Sequence, residues 1–472
     1  MIDISDYSAA EAPLRFFEEF SLIPHGSGNT DRIADYLVNF AKVRGLEVKR
    51  DEANNVLIRK KATAGYENRP GIVLQGHLDM VAEKTADSDV DLKNDGLVLY
   101  RDGDFVRAKN TTLGGDDGIA LAYALAILDS DDIPHPELEA LFTSDEEIGL
   151  LGATALSADW VKGRLLINLD CDNEGIFTVG CAGGMRSDIS LPMSREEMNT
   201  HKVFNLHFYG FKGGHSGGEI NKGRVNAIKA LTEALKASES VIVDMVGGNA
   251  DNAIPREATV KLICKDCSTL TNALEAVKNK YADLEPDVAY TVSENEELCA
   301  PFTKDSNTAL ISLLTELPNG VIAMCKSPEG LVETSLNLGI FKCTDKTAEI
   351  SFSVRSAKGK DKHAVGERLH EIADKYGASY GERGEYPAWE YRENSHLRDV
   401  MASTYREMYG TDPKIIIIHA GLECGILSEK LEGLDCVAMG PDNFDIHTTE
   451  EHMSIPSFAR VWEFLKKVIK EV

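Results

Sequence analysis

The sequence predicts an α/β protein: a discontinuous domain over residues 1–185 and 395–472, with a central sheet flanked by helices, interrupted by an α+β domain over 186–394. Three observations predict it. Short apolar runs alternate with helical stretches up to about residue 185, the pattern of a sheet covered by helices. The pattern changes after the turn-rich Cys181-Ala-Gly-Gly184, and it resumes near Ser395.

In the first block, residues 71–75, 139–143 and 165–169 read as apolar strands, and 115–128 as an Ala/Leu-rich helix opened by glycines. The inserted block has β-type runs at 203–209, 258–264 and 347–354. Helical stretches at 225–237, 270–284 and 364–376 separate them. Each side of that block has strands flanking a helix, which suggests two similar halves. The returning segment reads as a helix to residue 408, a strand over 414–418 and a last helix from Pro456.

Bulk properties narrow the partners. An apolar fraction of 43% supports proper cores, and a net charge of -27 argues against nucleic acid and against an anionic membrane surface. No apolar run approaches the ~18 residues of a membrane span. The N-terminal Met-Ile-Asp-Ile-Ser-Asp has neither the basic nor the apolar region of a secretory signal, so a cytoplasmic location is expected. Nine cysteines, paired in spacing only at Cys264 and Cys267, read as reduced thiols.

Five short motifs carry the chemistry: Gln75-Gly-His77-Leu-Asp79, Gly115-Asp116-Asp117-Gly118, Asp145-Glu146-Glu147-Ile148-Gly149, Asn168-Leu-Asp170 and Asp445-Ile-His447-Thr448. Imidazole and carboxylate suit zinc, and a shared carboxylate lets two ions sit side by side. Two such ions can bind one water, lower its pKa and aim it at a carbonyl. Several candidates lie just past the carboxyl ends of strands, where open α/β sheets form their sites. Asp79 follows His77 by two residues and is expected to accept its second ring N–H. Asp116 is expected to bridge both ions, with the helix-capping role left to Asp117 or shared. Of the neighbouring carboxylates, Glu147 is assigned to metal and Glu146 to general base and acid. Asp170 ends an apolar strand, where a carboxylate is costly unless bound to a cation. His447 is the late ligand.

In this order the motifs resemble the co-catalytic zinc peptidases of the M20 family, over nearly the whole chain from about residue 23. Leu113-Gly-Gly-Asp-Asp117, Cys181-Ala-Gly-Gly184, Gly213-Gly-His-Ser-Gly-Gly218, Asn252-Ala-Ile-Pro-Arg256 and His419-Ala-Gly-Leu-Glu-Cys-Gly425 are similar to its Xaa-His dipeptidase branch. The resemblance implies one zinc on His77, Asp116 and Asp170, and another on Asp116, Glu147 and His447. It makes 186–394 a lid from which His215 stabilises the oxyanion. Asn252, Arg355, His419 and the Gly421 region would bind substrate, and a homodimer is the implied assembly. Arg355 ends a strand, where it can clasp a carboxylate bidentately or form a surface salt bridge. Asp117 stands where many relatives carry Asn, an added charge that bears on the choice among zinc, manganese and cobalt.

The expected function is therefore hydrolysis of dipeptides, Xaa-His and β-Ala-His among them, by a hydroxide bridging the two ions with Glu146 as base. Two rivals remain at this level: an amidohydrolase that deacylates N-acyl amino acids, and a non-catalytic metal-binding protein.

Overall fold

The computed structural model describes residues 2–238, 240–264, 267–325 and 330–472. The chain forms two compact units. One comprises Met1–Gly180, Tyr391–Ile417 and Leu422–Val472; the other comprises Cys181–Glu390 with the short excursion Ile418–Gly421.

The first unit is built on an eight-stranded sheet. Its central strand, Ile72–His77, is buried along its whole length. Parallel neighbours flank it, Leu138–Thr143 on one side and Leu165–Asn168 on the other. Strands buried on both faces read as unbroken apolar runs, which is why these three were legible in the sequence. Register places His77 opposite Thr143 and Gln75 opposite Asn168. The segments that follow, carrying Asp79, Glu146, Glu147 and Asp170, therefore leave from one edge of the sheet. Asp435–Ala438, from the returning segment, pairs parallel to Leu165–Asn168.

Helix Gly115–Asp129 packs on the His77 strand and on helix Glu11–Ser21. From Gly118 to Leu128 every residue is buried, so the helix has no polar face. Tyr123 stacks on Phe458 and Trp462 of the last helix, Ile455–Glu471, and its hydroxyl donates to the Phe458 carbonyl at 2.7 Å. The helix approaches the strand closely because residue 76 is glycine. A Cβ there would lie 2.2 Å from the Ala120 methyl and 2.3 Å from Asp117 Oδ2.

A small four-stranded sheet was not expected from the sequence. It joins Leu99–Asp102 and Phe105–Ala108 to the hairpin of Asn443–Phe444 and His452–Ser454. Strands of two to four residues are too short to show alternation. This hairpin matters because His447 lies in its connecting loop.

The second unit is a nine-stranded sheet covered by helices, among them Ala227–Lys236, Cys267–Tyr281, Lys304–Glu316 and Gly359–Lys375, around one large apolar core. Eight strands fall into two groups of four. Among the described residues these join where Val246 faces Lys342 and Gly247 faces Phe341. None of the eight described cysteines is in a disulfide; the side chain of Cys267, and with it the Cys264/Cys267 spacing, lies outside the described residues. Among the described residues no helix is long and apolar enough to cross a membrane.

Candidate metal centre

Three sets of side chains in the first unit each bring their potential ligand atoms within 4.8 Å of one another: His77, Asp116 and Asp170; Asp116, Glu147 and His447; and His77, Glu146 and Glu147. Asp116 belongs to two of them. Its Oδ1 lies 3.0 Å from His77 Nε2 and its Oδ2 lies 3.1 Å from His447 Nε2, so each oxygen faces a different imidazole. Asp170 Oδ1 is 3.9 Å from His77 Nε2, and Glu147 Oε1 is 2.9 Å from His447 Nε2.

The electrostatics of this cluster suit divalent cations. Burial pushes the carboxyls of Asp117 and Asp170 well above the usual range, with neighbouring carboxylates adding to the shift. Burial likewise raises Glu146 to about 8, reinforced by Glu423, Glu147 and Asp116, and raises Asp172 to about 7. Hydrogen bonds from His447 and His77 outweigh burial at Asp116 and hold it well below the usual range. Conversely, the hydrogen bond to Asp116 and the adjacent Glu147 carboxylate lift His447 to about 10. Burial opposes charge on His77, but Asp116, Asp79 and Asp170 raise it all the same. Glu147 Oε1 is buried outside hydrogen-bonding geometry despite its nearness to His447. Excess buried negative charge and an unsatisfied carboxylate oxygen are what a bound dication relieves.

Asp79 works differently from expectation. His77 Nδ1 lies 2.9 Å from the backbone carbonyl of Asp79, while the Asp79 carboxylate is 3.5 Å from that nitrogen. The carboxylate instead accepts from the backbone N–H of Glu146 at 3.0 Å, that of Glu147 at 3.4 Å and the Ser27 hydroxyl at 2.7 Å. It thereby organises the loop that carries both glutamates. Spacing in sequence cannot distinguish a main-chain acceptor from a side-chain one. Asp117 accepts from the His77 N–H at 3.2 Å and from that of Ala120 at 3.4 Å, so its capping contact is a weak one.

Two buried glutamates of the first unit were missed. Glu423 accepts from Gln75 Nε2 at 2.6 Å and the Thr143 hydroxyl at 2.5 Å, beneath the carboxyl edge of the sheet. Glu451 accepts backbone N–H groups from the loop before Asp116. The available signals, Glu423 within the His419 motif and Glu451 four residues after His447, read as ordinary charged positions.

The remaining candidates, His215, Asn252, Arg355, His419 and Gly421, belong to the second unit and lie close together there. His215 sits on a two-residue ladder opposite Ala253, and the Ser216 N–H donates to the Asn252 carbonyl at 2.8 Å. His215 Nδ1 accepts from the N–H groups of Gly217 and Gly218 at 3.3 and 3.2 Å, which leaves the proton on Nε2. Burial and the nearby Arg355 lower its pKa, which favours the neutral ring. Arg355 is 8% exposed, which excludes the surface salt bridge. Its Nη1 donates to the Tyr386 hydroxyl at 3.0 Å, its Nε has no hydrogen-bond partner, and no carboxylate pairs with it among the described residues. Gly421 approaches the Tyr386 ring so closely that a Cβ would lie 2.8 Å from it. His419 Nε2 is 2.7 Å from the Ser335 hydroxyl, and burial together with Arg355 lowers its pKa to about 4.

The chain belongs to the peptidase family M20/M25/M40, whose family description matches residues 73–471. This bears out the family resemblance of the motifs, and with it the α/β class with an α+β second block. Among curated proteins, the cytosol non-specific dipeptidase of Escherichia coli is 38% identical over 467 residues, covering 97% of this chain and 96% of that one. Among solved structures, the aminoacylhistidine dipeptidase of Vibrio alginolyticus superposes with a TM-score of 0.91 at 35% identity, over 98% of this chain and 97% of that one. The aminopeptidase PepT of Bacillus cereus shares the fold at a TM-score of 0.56 and 17% identity, each chain covered to 98%.

Proposed function

We propose that the protein is a two-metal dipeptidase acting on dipeptides with free termini, Xaa-His and β-Ala-His substrates included. The observation that carries this reading is Asp116, each of whose oxygens faces the ring nitrogen of a different histidine where two ligand sets intersect. The names of the two relatives above 30% identity, both dipeptidases, support the same substrate class.

His77, Asp116 and Asp170 would hold one ion, and Asp116, Glu147 and His447 the other. Zinc is the proposed metal, because imidazole and carboxylate ligands suit it; manganese and cobalt share that preference. Two such ions supply a water of lowered pKa and polarise the scissile carbonyl. Glu146, pushed up to about 8 by burial and neighbouring carboxylates, is suited to take a proton near neutral pH and return it to the leaving amine. Asp79 fixes the backbone from which Glu146 projects. In the second unit, a neutral His215 has an Nε2–H to offer a developing oxyanion. Arg355 has donors to spare for the substrate carboxylate, with Asn252, His419 and Gly421 shaping the same pocket.

The proposal extends to the division of labour: 1–185 with 395–472 as the catalytic domain, and 186–394 as a lid. It includes a cytoplasmic location, supported by the name of the E. coli relative. A homodimer is its expected assembly, supported by the outer strand Ala289–Cys299, which pairs on one side only among the described residues.

The test is hydrolysis of β-Ala-His, Gly-His, Ala-Ala and N-acetyl-amino acids by metal-stripped protein with and without added zinc. Metal-restored cleavage of the free dipeptides alone is the expected result. Cleavage of only the acetylated compounds would make the protein a deacylase, and inactivity of metal-loaded protein on the whole panel would make it a non-catalytic metal binder.

A further inference from the structure

Glu451 is 3% exposed and pairs with no Lys, Arg or His among the described residues. A buried carboxylate without a countercharge is costly unless donors surround it. Here they do. Oε2 accepts from the N–H groups of Leu113 and Gly114 at 2.8 and 2.9 Å. Oε1 accepts from those of Gly115 and Asp116 at 2.9 and 3.3 Å, and from Asn443 Nδ2 at 3.1 Å. The four backbone donors lie in the turn that leads into helix Gly115–Asp129, whose regular helical backbone begins only after Asp116 and Asp117, and N–H groups there lack intrahelical partners.

This contact reaches across the chain. The donors precede or belong to Asp116, whereas Glu451 follows His447 by four residues in the neighbouring hairpin. The paired glycines before Asp116 are required by it. Gly114 adopts a left-handed φ of 69°, and a Cβ on Gly115 would lie 2.8–3.1 Å from the Asn443 side-chain atoms.

We infer that Glu451 is a positioning residue for the metal centre: its carboxylate clamps the 113–116 loop to the His447 hairpin, so that Asp116 presents one oxygen to His77 and the other to His447. Apart from the clamp, the His447 hairpin is tied to this part of the chain by the pairing of His452–Ser454 with Phe105–Ala108, several residues before the loop, and by the ligands themselves. The inference rests on the two-metal reading of the site and goes one layer outward from it. Groups that orient metal ligands in this way are typically worth about 10–100-fold in metal affinity.

The experiment uses the zinc-loaded protein and the variants Glu451→Gln and Gly115→Ala, dialysed against graded concentrations of a chelator. Zinc retained per chain is measured alongside the thermal midpoint. Glu451→Gln should lose at least one ion at about 10–100-fold lower chelator concentration than the wild type. Gly115→Ala, which crowds Asn443 without altering any charge, should shift the curve in the same direction by less. A lowered midpoint with an unchanged chelator curve would make Glu451 a merely structural helix clamp and overturn the inference. If Glu451→Gln does not fold, Gly115→Ala decides, and wild-type retention in it overturns the inference as well. A wild-type protein that never holds two ions would instead sink the two-metal reading, and the two failures are thus told apart.

Discussion

The two units carry opposite local charge. In the first, the carboxylates of Asp116, Asp117, Glu146, Glu147 and Asp170 gather around two imidazoles, with no Lys or Arg paired to them among the described residues. In the second, a buried guanidinium lies beside two histidines whose pKa values are lowered, with no carboxylate paired to it among the described residues. The first arrangement favours cations and the second an anion. On the function proposed above, the first would hold metal and the second the substrate carboxylate. Changes at Glu146 and His215 are expected to slow the chemistry, and loss of Arg355 to weaken binding.

The largest effect belongs to Glu146. Replacing it with Gln should cut kcat by about 10²–10⁴-fold while zinc content stays at the wild-type value. Loss of zinc in that variant would instead make Glu146 a ligand, which its grouping with His77 and Glu147 allows geometrically. Next comes His215→Ala, expected to lower kcat by about 10²–10³-fold with little change in KM. A change confined to KM would reassign the ring to ground-state binding. Arg355→Ala should lower kcat/KM by roughly 10–100-fold, as for loss of a charge-assisted bond. Amidating the substrate carboxyl should cost the wild type a similar factor and cost this variant almost nothing; equal sensitivity in both would break the assignment.

The smallest effect is on stability. His419 titrates near 4 in the folded chain, below the ~6.5 of an unfolded histidine. The unfolded chain therefore binds this proton more readily. The stabilisation is complete above about pH 6.5 and is lost as pH falls towards 4. His419→Gln should show a shallower drop in Tm across that window than the wild type, and parallel curves would contradict the shift.

What the sequence revealed follows the range of the interactions. The expected strand over 71–75 appears as Ile72–His77, and the expected helix over 115–128 as Gly115–Asp129, because continuous apolar runs and a Gly-Asp opening are local signals. The metal-centre side chains were legible because each sits in a distinctive short motif. Glu423 and Glu451 were not, since their partners lie 348 residues away at Gln75 and 338 at Leu113. No local periodicity records such a contact. The tiny strands Asn443–Phe444 and His452–Ser454 escaped for a related reason: they exist only through pairing with Phe105–Ala108.

The interleaving of the large sheet bears on how the chain is made. Strand Asp435–Ala438 lies between Leu165–Asn168 and Ile176–Cys181, yet it leaves the ribosome about 270 residues after the first of them. At typical synthesis rates of ~5–20 residues per second that is a wait of roughly 15–50 s. During it the Leu165–Asn168 strand has an apolar edge open to other chains, while the whole of Cys181–Glu390 emerges with its own core in sequence. The nascent protein thus holds an unfinished sheet while the core of the second unit emerges, and the side-chain cluster that includes His447 can form only once the returning segment has emerged.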